Sequence, residues 1–425
     1  MTLVLTNRRN IADSHTLAVY ERTGGYGLIE KLFSMTPAQV IDEVKASGLR
    51  GRGGAGFGAG LKWSFVPKND KPKYLCVNGD ESEPGTFKDR LLLETDPHQL
   101  IEGVIIACYA IGSHACYIYL RGEFDLPYRR MRDAVKEAYA KGYLGKNIFG
   151  KGYALDVTVH RGAGAYICGE ETALLESLEG NKGQPRIKPP FPAEVGLFGC
   201  PTVINNVETL SAVPFILQFG AAGYRRLGTE KSPGTKLFSV SGHVVKPGVY
   251  EVPLGYPLKD LIYKDCGGIL NGKKMKAVIP GGSSVPILNA QDVETVNLDY
   301  ESVVAHGSML GSGGAIVMDE DVDLVWALKN LARFYAHESC GQCTPCREGT
   351  GWIDKILERV LREGADKEDY ALLNEIGDNM AGKTICVLAD SIAMPINSYM
   401  KKFPEEFKKH LKENFQRSAP KVRIL

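Results

Sequence analysis

Short apolar runs and longer amphipathic stretches alternate along the first half of the chain. The short runs are rich in β-branched and aromatic residues, have the length of strands, and cover residues 74–77, 115–120 and 155–159. The longer stretches have the apolar spacing of helices and cover residues 97–111, 126–141 and 170–178. Alternation of strands and helices predicts right-handed crossovers and a mostly parallel sheet that helices cover on both faces.

An earlier helix is marked by its own end signals. Thr36 precedes Pro37, and Gln39 follows Thr36 by three positions, which is the order of a capping box with proline at the first helical position. Gly48 predicts the end of this helix, because glycine readily adopts the left-handed conformation found there.

The pattern changes after about residue 232. Short strands are predicted at 236–240, 248–252 and 277–279 around one helix at 258–264, which is typical of a small α+β module. From Leu324 the pattern is helical, with predicted helices at 325–337, 351–362, 370–380 and 404–415. We therefore expect three domains, namely an α/β domain over 1–235, the α+β module over 236–305 and a helical domain over 306–425.

Composition narrows the classes of protein. The chain has 425 residues, is 44% hydrophobic and carries a net charge of +1, without the basic stripe of a nucleic-acid-binding protein. Its start lacks the basic-then-apolar order of a secretory signal, and apolar stretches such as 104–111 are too short to span a bilayer. Most of the ten cysteines stand singly in apolar segments, as Cys76, Cys108 and Cys116 do, which favours a reducing, cytosolic compartment.

Three cysteines near the end of the chain have the spacing of an iron–sulfur ligand set. Cys340, Cys343 and Cys346 are separated by two residues each, and Cys386 is the only cysteine further downstream. A cubane cluster takes four thiolates, so this set predicts a [4Fe-4S] cluster and an electron carrier. The alternative is a structural zinc site, although zinc usually takes two separated cysteine pairs or includes histidine.

A glycine-rich segment at 48–63 follows a predicted helix rather than a strand. Its Gly-x-Gly-x-x-Gly order therefore does not indicate the usual dinucleotide fingerprint. Three cations and three aromatic residues stand among or beside the glycines: Arg50, Arg52, Lys62, Phe57, Trp63 and Phe65. Bare amides and cations suit phosphates, and aromatic faces suit a planar ring, so we interpret the segment as a nucleotide or flavin cradle. A flexible connecting loop is the alternative.

Two further loops follow predicted strands, where parallel sheets bind their ligands. The loop at 78–83 is acidic, and its carboxylates suit ribityl or ribose hydroxyls better than phosphate; a solvated turn is the alternative. The loop at 162–169 leads into a helix with Glu170 and Glu171 in its first turn. These carboxylates either accept from nucleotide hydroxyls or only complement the helix dipole.

Two adjacent amides, Asn205 and Asn206, mark another helix start, and Asn205 is either a ligand group or a helix cap. No Ser/His/Asp or Cys/His triad emerges, and the eight histidines are dispersed. We therefore predict no catalytic acid or base among the side chains.

Four motifs together resemble a known family. They are Gly-Arg-Gly-Gly-Ala-Gly-Phe from residue 51, Asn-Gly-Asp-Glu-Ser-Glu-Pro-Gly-Thr-Phe-Lys-Asp-Arg from 78, Gly-Ala-Gly-Ala-Tyr-Ile-Cys-Gly-Glu-Glu-Thr-Ala from 162 and Glu-Ser-Cys-Gly-Gln-Cys-Thr-Pro-Cys-Arg-Glu-Gly from 338. Over nearly the whole chain they closely resemble the family of NADH-oxidising flavoproteins of respiratory complex I, its F subunits. One departure is Gly58-Ala59, where the family commonly has Pro-Thr, which leaves the rigidity of the glycine loop open.

The resemblance implies a fold, cofactors and site residues. It implies a Rossmann-like α/β domain that binds FMN and receives NADH, a ubiquitin-like β-grasp module, and a helical bundle with one [4Fe-4S] cluster. The family's cluster ligands map onto Cys340, Cys343, Cys346 and Cys386. Its FMN contacts map onto Gly51, Arg52, Gly53, Lys62, Asn78, Asp80, Glu81, Tyr166, Gly169, Glu170, Asn205, Asn206 and Thr209. Its NADH contacts map onto Gly54, Phe57, Lys62, Phe65, Glu83, Glu171 and Phe191.

The resemblance also implies an activity and partners. NADH passes a hydride to FMN without a protein base, and electrons then leave singly to the cluster and on through complex I to quinone. Glu171 is expected to favour the ribose 2′-hydroxyl of NADH over the 2′-phosphate of NADPH. The implied partners are a thioredoxin-like [2Fe-2S] subunit and the large iron–sulfur subunit of complex I. The chain would then lie peripherally on the cytoplasmic face of the membrane, without entering it.

Two alternatives stay open at this point. One is the diaphorase subunit of an NAD-dependent hydrogenase or formate dehydrogenase, whose members often carry extra iron–sulfur modules. The other is a non-catalytic, zinc-stabilised scaffold that binds a nucleotide for regulation. Flavin absorption by the purified protein would separate this scaffold from the enzyme.

Overall fold

The computed structural model describes residues 2–415. Its helices are α1 (Leu17–Arg22), α2 (Ile29–Ser34), α3 (Pro37–Ser47), α4 (Ala59–Ser64), α5 (Lys88–Thr95), α6 (Pro97–Ile111), α7 (Asp125–Lys141), α8 (Glu171–Leu178), α9 (Val207–Ser211), α10 (Val213–Arg225), α11 (Leu258–Asp260), α12 (Ala290–Thr295), α13 (Tyr300–Ala305), α14 (Leu324–Glu338), α15 (Thr344–Glu363), α16 (Lys367–Met380), α17 (Asp390–Lys402) and α18 (Pro404–Lys409). Its strands are β1 (Tyr74–Gly79), β2 (Ala115–Leu120), β3 (Gly145–Ile148), β4 (Tyr153–Arg161), β5 (Thr202–Asn206), β6 (Thr235–Gly242), β7 (Gly248–Pro253), β8 (Tyr256–Pro257), β9 (Met275–Ile279), β10 (Leu288–Asn289), β11 (Asn297–Leu298) and β12 (Gly314–Asp319).

The first sheet has the strand order β3-β4-β2-β1-β5. Strands β4, β2, β1 and β5 are parallel, and β3 pairs with β4 in the antiparallel direction at the edge. The predicted mostly parallel sheet is therefore confirmed. The sequence pattern did not predict β3 or β5, because both are short and contain polar residues.

The strand order reverses at β1. The chain passes from β1 through β2 to β4 on one side, and then returns to place β5 on the other side of β1. In open α/β sheets, ligands bind in the crevice beyond the carboxyl ends of the strands at such a reversal. The register pairs Asn78 of β1 with Asn206 of β5 at these ends. The acidic loop and the asparagine pair, which are far apart in sequence, therefore meet in this crevice.

Helices α3 and α6 of the first domain have ends and burial that follow from their sequences. In α3 the Thr36 hydroxyl accepts from the Gln39 N–H and the Gln39 side chain accepts from the Thr36 N–H, so the predicted capping box is formed. Gly48 has a φ of 70° and ends this helix. Helix α6 is buried along nearly its whole length, and most of its residues are apolar. Among residues 2–415, no helix is both long and apolar enough to cross a membrane.

The second sheet has the strand order β10-β9-β12-β6-β7. Strands β6 and β7 are an antiparallel pair, and β12 lies parallel to β6 and antiparallel to β9. Strand β12 is thus the middle strand of this sheet, although it lies beyond residue 305, where the sequence pattern predicted the module to end. The pattern missed it because its partner strands lie much earlier in the chain.

The C-terminal part is helical, as predicted, and α14 and α15 pack side by side. Helix α15 begins earlier than the predicted residue 351, at Thr344 with Pro345 in its first turn, so Cys346 lies in a helix. The predicted helix over 404–415 is wrong in length, since α18 ends at Lys409. The backbone of His410 and Lys412 bonds to Ala365 instead of continuing the helix.

Candidate active site and iron–sulfur centre

Predicted ligand groups from separate loops meet at the carboxyl ends of β1 and β5. Asn78, in β1, donates from Nδ2 to the carbonyl of Gly169 over 2.8 Å, which ties this strand to the loop before α8. Asn205, in β5, accepts from the indole N–H of Trp63 over 2.7 Å, which ties this strand to α4. Two hydrogen bonds thus assemble one site from four distant segments.

The glycine loop is folded back on itself beside Asn206. Gly51 N–H donates to the carbonyl of Phe57 over 2.8 Å and closes the loop. A Cβ at Gly53 would lie only 3.1 Å from the Cβ of Asn206, so a side chain there would crowd the asparagine. Gly54 has a φ of 143°, and nothing lies within 4 Å of the place where its Cβ would be. The backbone of this loop is therefore open on the Gly54 side, where a ligand can approach.

The departure at Gly58-Ala59 does not leave this loop unattached. Gly58 pairs with Arg50 in an isolated antiparallel bridge. The N–H of Ala59 donates to the carbonyl of Leu49 over 2.8 Å. Backbone hydrogen bonds thus hold both ends of the loop together.

Arg52 has a different role from the one that its position among glycines suggested. Its guanidinium is buried, with 1% of the residue exposed, and donates to the carbonyls of Pro233 and Thr235 and to the Tyr224 hydroxyl, each over 3.0 Å. The interpretation of this side chain as a cation that faces a phosphate is therefore wrong, because its guanidinium is buried and hydrogen-bonded within the core. Its backbone stays at the site, where the Arg52 N–H donates to Thr209 Oγ1 over 2.8 Å.

Two lysines and two glutamates form a network at the start of α8. Lys62 Nζ lies 2.8 Å from Glu171 Oε2, and Lys188 Nζ lies 2.9 Å from Glu170 Oε1 and 3.2 Å from Glu171 Oε1. Burial favours the neutral acid, but the two ammonium groups outweigh it and hold the pKa of Glu171 below its ordinary value. Glu170 also accepts from two N–H groups of the first turn of α8, so it caps this helix. Lys188, which no sequence pattern singled out, is a full member of the network.

The acidic loop holds three carboxylates in three environments. Removal from water raises the pKa of Asp80 to about 7. Glu81 accepts from three N–H groups at the start of α5 over 2.8 to 2.9 Å, and burial raises its pKa to about 8. Glu83 accepts from the Tyr166 hydroxyl over 2.7 Å and from the N–H of Ser284 over 2.8 Å. Glu81 is therefore a helix cap, whereas Glu83 joins this loop to the module of the second sheet.

Tyr166 links the crevice to the helix that leads to the cysteines. Its N–H donates to Glu338 Oε2 over 3.1 Å, and its ring packs edge-on against Phe334 with the centroids 5.2 Å apart. Both partners belong to α14, and Glu338 is its last residue. One residue of the crevice therefore contacts the segment that enters the cysteine run.

Three aromatic side chains that the resemblance assigns to NADH are open to solvent. Phe57 and Phe65 lie on either side of α4, are 49% and 52% exposed, and have ring centroids 6.1 Å apart. Phe191 is 55% exposed and follows Lys188 of the charged network closely in sequence. Exposed aromatic faces beside a crevice are suited to stacking on a planar ring.

The four predicted cluster ligands come from two parts of the helical region. Cys340 precedes α15, Cys343 is its N-cap and Cys346 lies in its first turn, while Cys386 lies between α16 and α17. All four pack against the same core. Burial raises the pKa of Cys386 to about 11, and the nearby Cys346 and Cys340 thiols add to this rise. The fold thus brings Cys386 near the cysteine run, and its role as the fourth ligand stays a prediction.

This donor set fits a four-iron cluster. Four thiols supply one thiolate for each iron. The N–H of Ile385 donates to Cys343 Sγ over 3.4 Å, and Ser339 Oγ lies 3.3 Å from Cys346 Sγ, which are contacts of the kind that tune such clusters. In the part of the chain that the structure describes, no three His, Cys, Asp or Glu side chains converge on a position for one metal ion.

The crevice fits a flavin mononucleotide. The open glycine backbone suits a phosphate, because it offers N–H donors without a negative charge. Asn206, and not Asn205, caps α9 with its Oδ1, and its Nδ2 donates to Asp89 Oδ2 over 2.6 Å. The acidic loop supplies acceptors for hydroxyl groups, and the exposed phenylalanines supply stacking faces. Each of these groups comes from a different segment, and the strand order places them together.

Three family models match successive parts of the chain. The Nuo51 FMN-binding domain matches residues 44–215, the SLBB domain matches residues 236–318, and the NADH-ubiquinone oxidoreductase-F iron-sulfur binding region matches residues 326–410. These ranges contain, in order, the crevice, the second sheet and the four cysteines.

Similar proteins cover almost the whole chain. The NADH-quinone oxidoreductase F 2 subunit of Rhizobium meliloti is 51% identical over 412 residues, which is 96% of this chain and 98% of that protein. The NADH-quinone oxidoreductase F subunit of Streptomyces coelicolor is 54% identical over 400 residues, which is 94% of this chain and 89% of that protein. Among solved structures, a chain of an NAD+-reducing [NiFe]-hydrogenase in the air-oxidised state has a TM-score of 0.84 at 36% identity, covering 99% of this chain and 68% of that one.

Fold, site and family matches together define a flavoprotein oxidoreductase of the NADH dehydrogenase class, with FMN and a [4Fe-4S] cluster as its cofactors. Within this class, the similar proteins from Rhizobium meliloti and Streptomyces coelicolor are both NADH-quinone oxidoreductase F subunits. The chain belongs to the family of NADH-quinone oxidoreductase F subunits, which confirms the resemblance carried by the four sequence motifs.

Proposed function

We propose that the crevice at the ends of β1 and β5 binds FMN, that NADH enters beside the exposed phenylalanines, and that the four cysteines hold the cluster that receives the electrons. The observation that carries this proposal is the convergence of the glycine loop, the acidic loop, the start of α8 and the asparagine pair. The FMN and NADH residues are those that the sequence resemblance gave, except that Arg52 contributes its backbone and not its guanidinium.

The residues of the crevice bind and orient, and the cofactor supplies the electron chemistry. FMN held there would supply a hydride acceptor that can pass electrons on singly, which no amino-acid side chain here can do. Asn206 and the backbone of Gly53 hold the phosphate end, and Phe65 stacks on the nicotinamide nucleotide. In this proposal no side chain takes or gives a proton during hydride transfer.

Glu171 selects the nucleotide in this proposal. It is held as an anion by Lys62 and Lys188, so it attracts a hydroxyl and repels a phosphate. We expect the ribose 2′-hydroxyl of NADH to bind here and the 2′-phosphate of NADPH to be rejected.

The names of the similar proteins indicate the complex in which this chain works. These proteins are subunits of a quinone oxidoreductase, so we propose that this chain also works in such a complex, peripherally on the cytoplasmic face of the membrane. Its neighbours would be a thioredoxin-like [2Fe-2S] subunit and the large iron–sulfur subunit. We also propose three domains: a Rossmann-like first domain over 1–235, a β-grasp module whose sheet includes β12, and a helical cluster domain after it.

A second candidate is the diaphorase subunit of an NAD-reducing hydrogenase. The observation in its favour is the TM-score of 0.84 to a chain of such an enzyme. The higher identities to F subunits favour the quinone-linked complex. Purification of the native assembly decides between them, because a quinone reductase and a hydrogenase contain different partner subunits.

Two substitutions test the assignment of the crevice. Asn206→Ala should lower the FMN content of the purified chain, because it removes an amide from the phosphate end. Phe65→Ala should leave FMN bound and raise the KM for NADH several-fold. Phe219→Ala is the matched control, since this residue is exposed to a similar extent, 55% against 52% for Phe65, but lies in α10. Unchanged FMN content in Asn206→Ala together with an unchanged KM in Phe65→Ala would refute the assignment.

A further inference from the structure

A cluster of charged side chains lies buried between the glycine loop and the second sheet. It contains the cations of Arg52, Lys88 and Lys236 and the carboxylates of Glu208 and Asp89, each at most 3% exposed. Lys88 Nζ lies 2.7 Å from Glu208 Oε2 and 2.8 Å from Asp89 Oδ1. Charges buried this deeply are costly to the fold unless they are paired and hydrogen-bonded. The proposed hydride transfer does not require these five side chains. The backbone groups that they bind indicate their role.

Lys236 is the member of this cluster that spans the two domains. Its ammonium group donates to the carbonyl of Arg52 over 3.2 Å and to the carbonyl of Ser312 over 2.9 Å, and lies 3.5 Å from Glu208 Oε2. A Cβ at Gly313 would lie 2.8 Å from the Cε of Lys236, so the missing side chain at Gly313 leaves room for the lysine. The lysine thus fixes the glycine loop to the segment that enters β12.

Tyr300 of the same module holds the neighbouring carbonyl. Its hydroxyl donates to the carbonyl of Gly51 over 2.9 Å. The Arg50 guanidinium lies over its ring, 3.7 Å from the centroid, and also pairs with Glu301 over 2.8 Å. Two consecutive carbonyls of the glycine loop are therefore bound by side chains of the second module.

Hydrogen bonds to the two carbonyls also orient the N–H groups on the opposite side of the same peptides. In a trans peptide the carbonyl and the following N–H are coplanar and point in opposite directions. A hydrogen bond to the Arg52 carbonyl therefore sets where the Gly53 N–H points. One to the Gly51 carbonyl sets where the Arg52 N–H points, and that N–H donates to Thr209 Oγ1 over 2.8 Å. Hydrogen bonds at the carbonyl also polarise the peptide and strengthen its N–H as a donor.

We propose that the module at 236–319 is a clamp on the FMN-binding loop, with Lys236 and Tyr300 as positioning residues that aim its backbone N–H groups. This inference rests on the proposed assignment of Gly51 to Gly53 to FMN. It gives the second module a role in holding the flavin of its own chain, through residues that belong to neither the FMN nor the NADH set.

The charge of Lys236 makes the clamp sensitive to pH. The groups that face its ammonium are Glu208, Lys88, Arg52 and Asp89, and burial lowers the pKa of Lys236 to about 7. Loss of its proton leaves a neutral amine, which is a weaker donor to the two carbonyls. FMN release from the wild-type chain should therefore accelerate as the pH rises from about 6 to about 9. Asp80, with a pKa of about 7, and Glu81, with a pKa of about 8, also titrate in this window, so a variant is needed to separate the effect of Lys236 from theirs.

The test compares FMN release from the loaded full chain of wild type, Glu208→Gln and the double variant Glu208→Gln/Lys236→Met. The double variant removes one buried cation and one buried carboxylate. Lys88, which also pairs with Glu208, keeps Asp89 as a partner 2.8 Å away. Glu208→Gln alone is the matched control. Release is followed by the fluorescence of free FMN after dilution. We expect release at least tenfold faster from the double variant than from Glu208→Gln, with a flatter dependence on pH. Equal rates and equal pH profiles would overturn the proposal.

Tyr300→Phe keeps the test decisive if the double variant does not fold. This change keeps the ring beneath Arg50 and removes only the hydrogen bond to the Gly51 carbonyl, so we expect FMN release several-fold faster at every pH. Release at the wild-type rate would refute the clamp at this residue. Failure of the wild-type chain to bind FMN at all would instead refute the proposed function. The clamp should not alter the iron content, so the iron content of each variant separates loss of flavin from general misfolding.

Discussion

The ammonium group of Lys62 lies 2.8 Å from the carboxylate of Glu171. This ion pair joins α4, which follows the glycine loop, to the first turn of α8, which follows β4. Both residues are partly buried, and Lys188 adds a second cation, so the carboxylate stays ionised at neutral pH. We propose that a fixed anion at this place gives the crevice a preference between nucleotides that differ by one phosphate.

Nucleotide selectivity should change when this anion is removed. Glu171→Gln keeps the size of the side chain and removes the charge that repels the 2′-phosphate of NADPH. We expect the ratio of kcat/KM for NADPH to that for NADH to rise by about 10- to 100-fold, which corresponds to about 1.4 to 2.8 kcal/mol. Glu194→Gln, an equal charge change at an exposed position near Phe191, should leave the ratio unchanged. Equal selectivity in Glu171→Gln and wild type would remove Glu171 from this role.

The fourth cluster ligand can be tested apart from the flavin. Cys386→Ala should abolish the four-iron signal in electron paramagnetic resonance and lower the iron content, because one iron loses its thiolate. FMN content and bleaching of the flavin by NADH should stay close to wild type, since Cys386 lies in the helical region and not in the crevice. Cys200→Ala, which removes a half-buried cysteine outside the cluster site, is the control. A normal cluster signal in Cys386→Ala would contradict the assignment of this ligand.

The Ser339 hydroxyl should tune the cluster. It lies 3.3 Å from Cys346 Sγ, and a hydrogen bond to a ligand sulfur stabilises the reduced, more negative cluster. Ser339→Ala should therefore shift the reduction potential to a more negative value, while Ser339→Thr should keep it close to wild type. A redox titration monitored by paramagnetic resonance measures both shifts. If Ser339→Ala and wild type have the same potential, the hydroxyl does not act on the cluster.

The ionised carboxylate of Asp80 should lower the stability of the folded chain at alkaline pH. Burial raises its pKa in the fold to about 7, above the value of an unfolded aspartate, so the folded chain binds the extra proton between about pH 4 and pH 7. Stability from this residue is therefore present at low pH and is lost as the pH rises through 7. Asp80→Asn should stabilise the FMN-free chain by about 2 kcal/mol at pH 8 and have little effect near pH 4.5.

Urea unfolding at the two pH values measures this difference. The exposed Asp70→Asn is the control, and it should not change the free energy of unfolding at either pH. The Asp80→Asn variant should also bind FMN more weakly, because an acceptor for a flavin hydroxyl is replaced. Lower stability of Asp80→Asn at pH 8 would contradict the account of this carboxylate.

Sequence reasoning succeeded where the signal was local. The capping box of Thr36 and Gln39, the left-handed Gly48 and the spacing of the cysteine run depend on a few neighbouring residues, and each can be read directly. The four motifs added the family, and hence the cofactors, because they combine many residues in a fixed order. The cysteine at 386 was assigned by elimination and by resemblance, and the fold brings it to the run.

The rest depended on contacts between distant segments. Arg52 has the sequence context of a phosphate ligand, but Tyr224 and Pro233 bind its guanidinium in the core. Lys188 and Lys236 stand in no motif, and their roles appear only once the carboxylates of Glu171 and Glu208 are placed beside them. Strand β12 was missed for the same reason, since its place in the sheet is set by strands much earlier in the chain.

We propose that electrons pass within this chain from NADH through FMN to one [4Fe-4S] cluster. An anaerobic titration of the cofactor-loaded chain with NADH, followed by flavin absorbance and by paramagnetic resonance in the same samples, tests it most directly. We predict that NADH bleaches the flavin bands and that the signal of one reduced four-iron cluster appears alongside, while Cys386→Ala shows only the bleaching. Flavin bands that NADH leaves unchanged, in a sample that a chemical reductant still bleaches, would contradict the account.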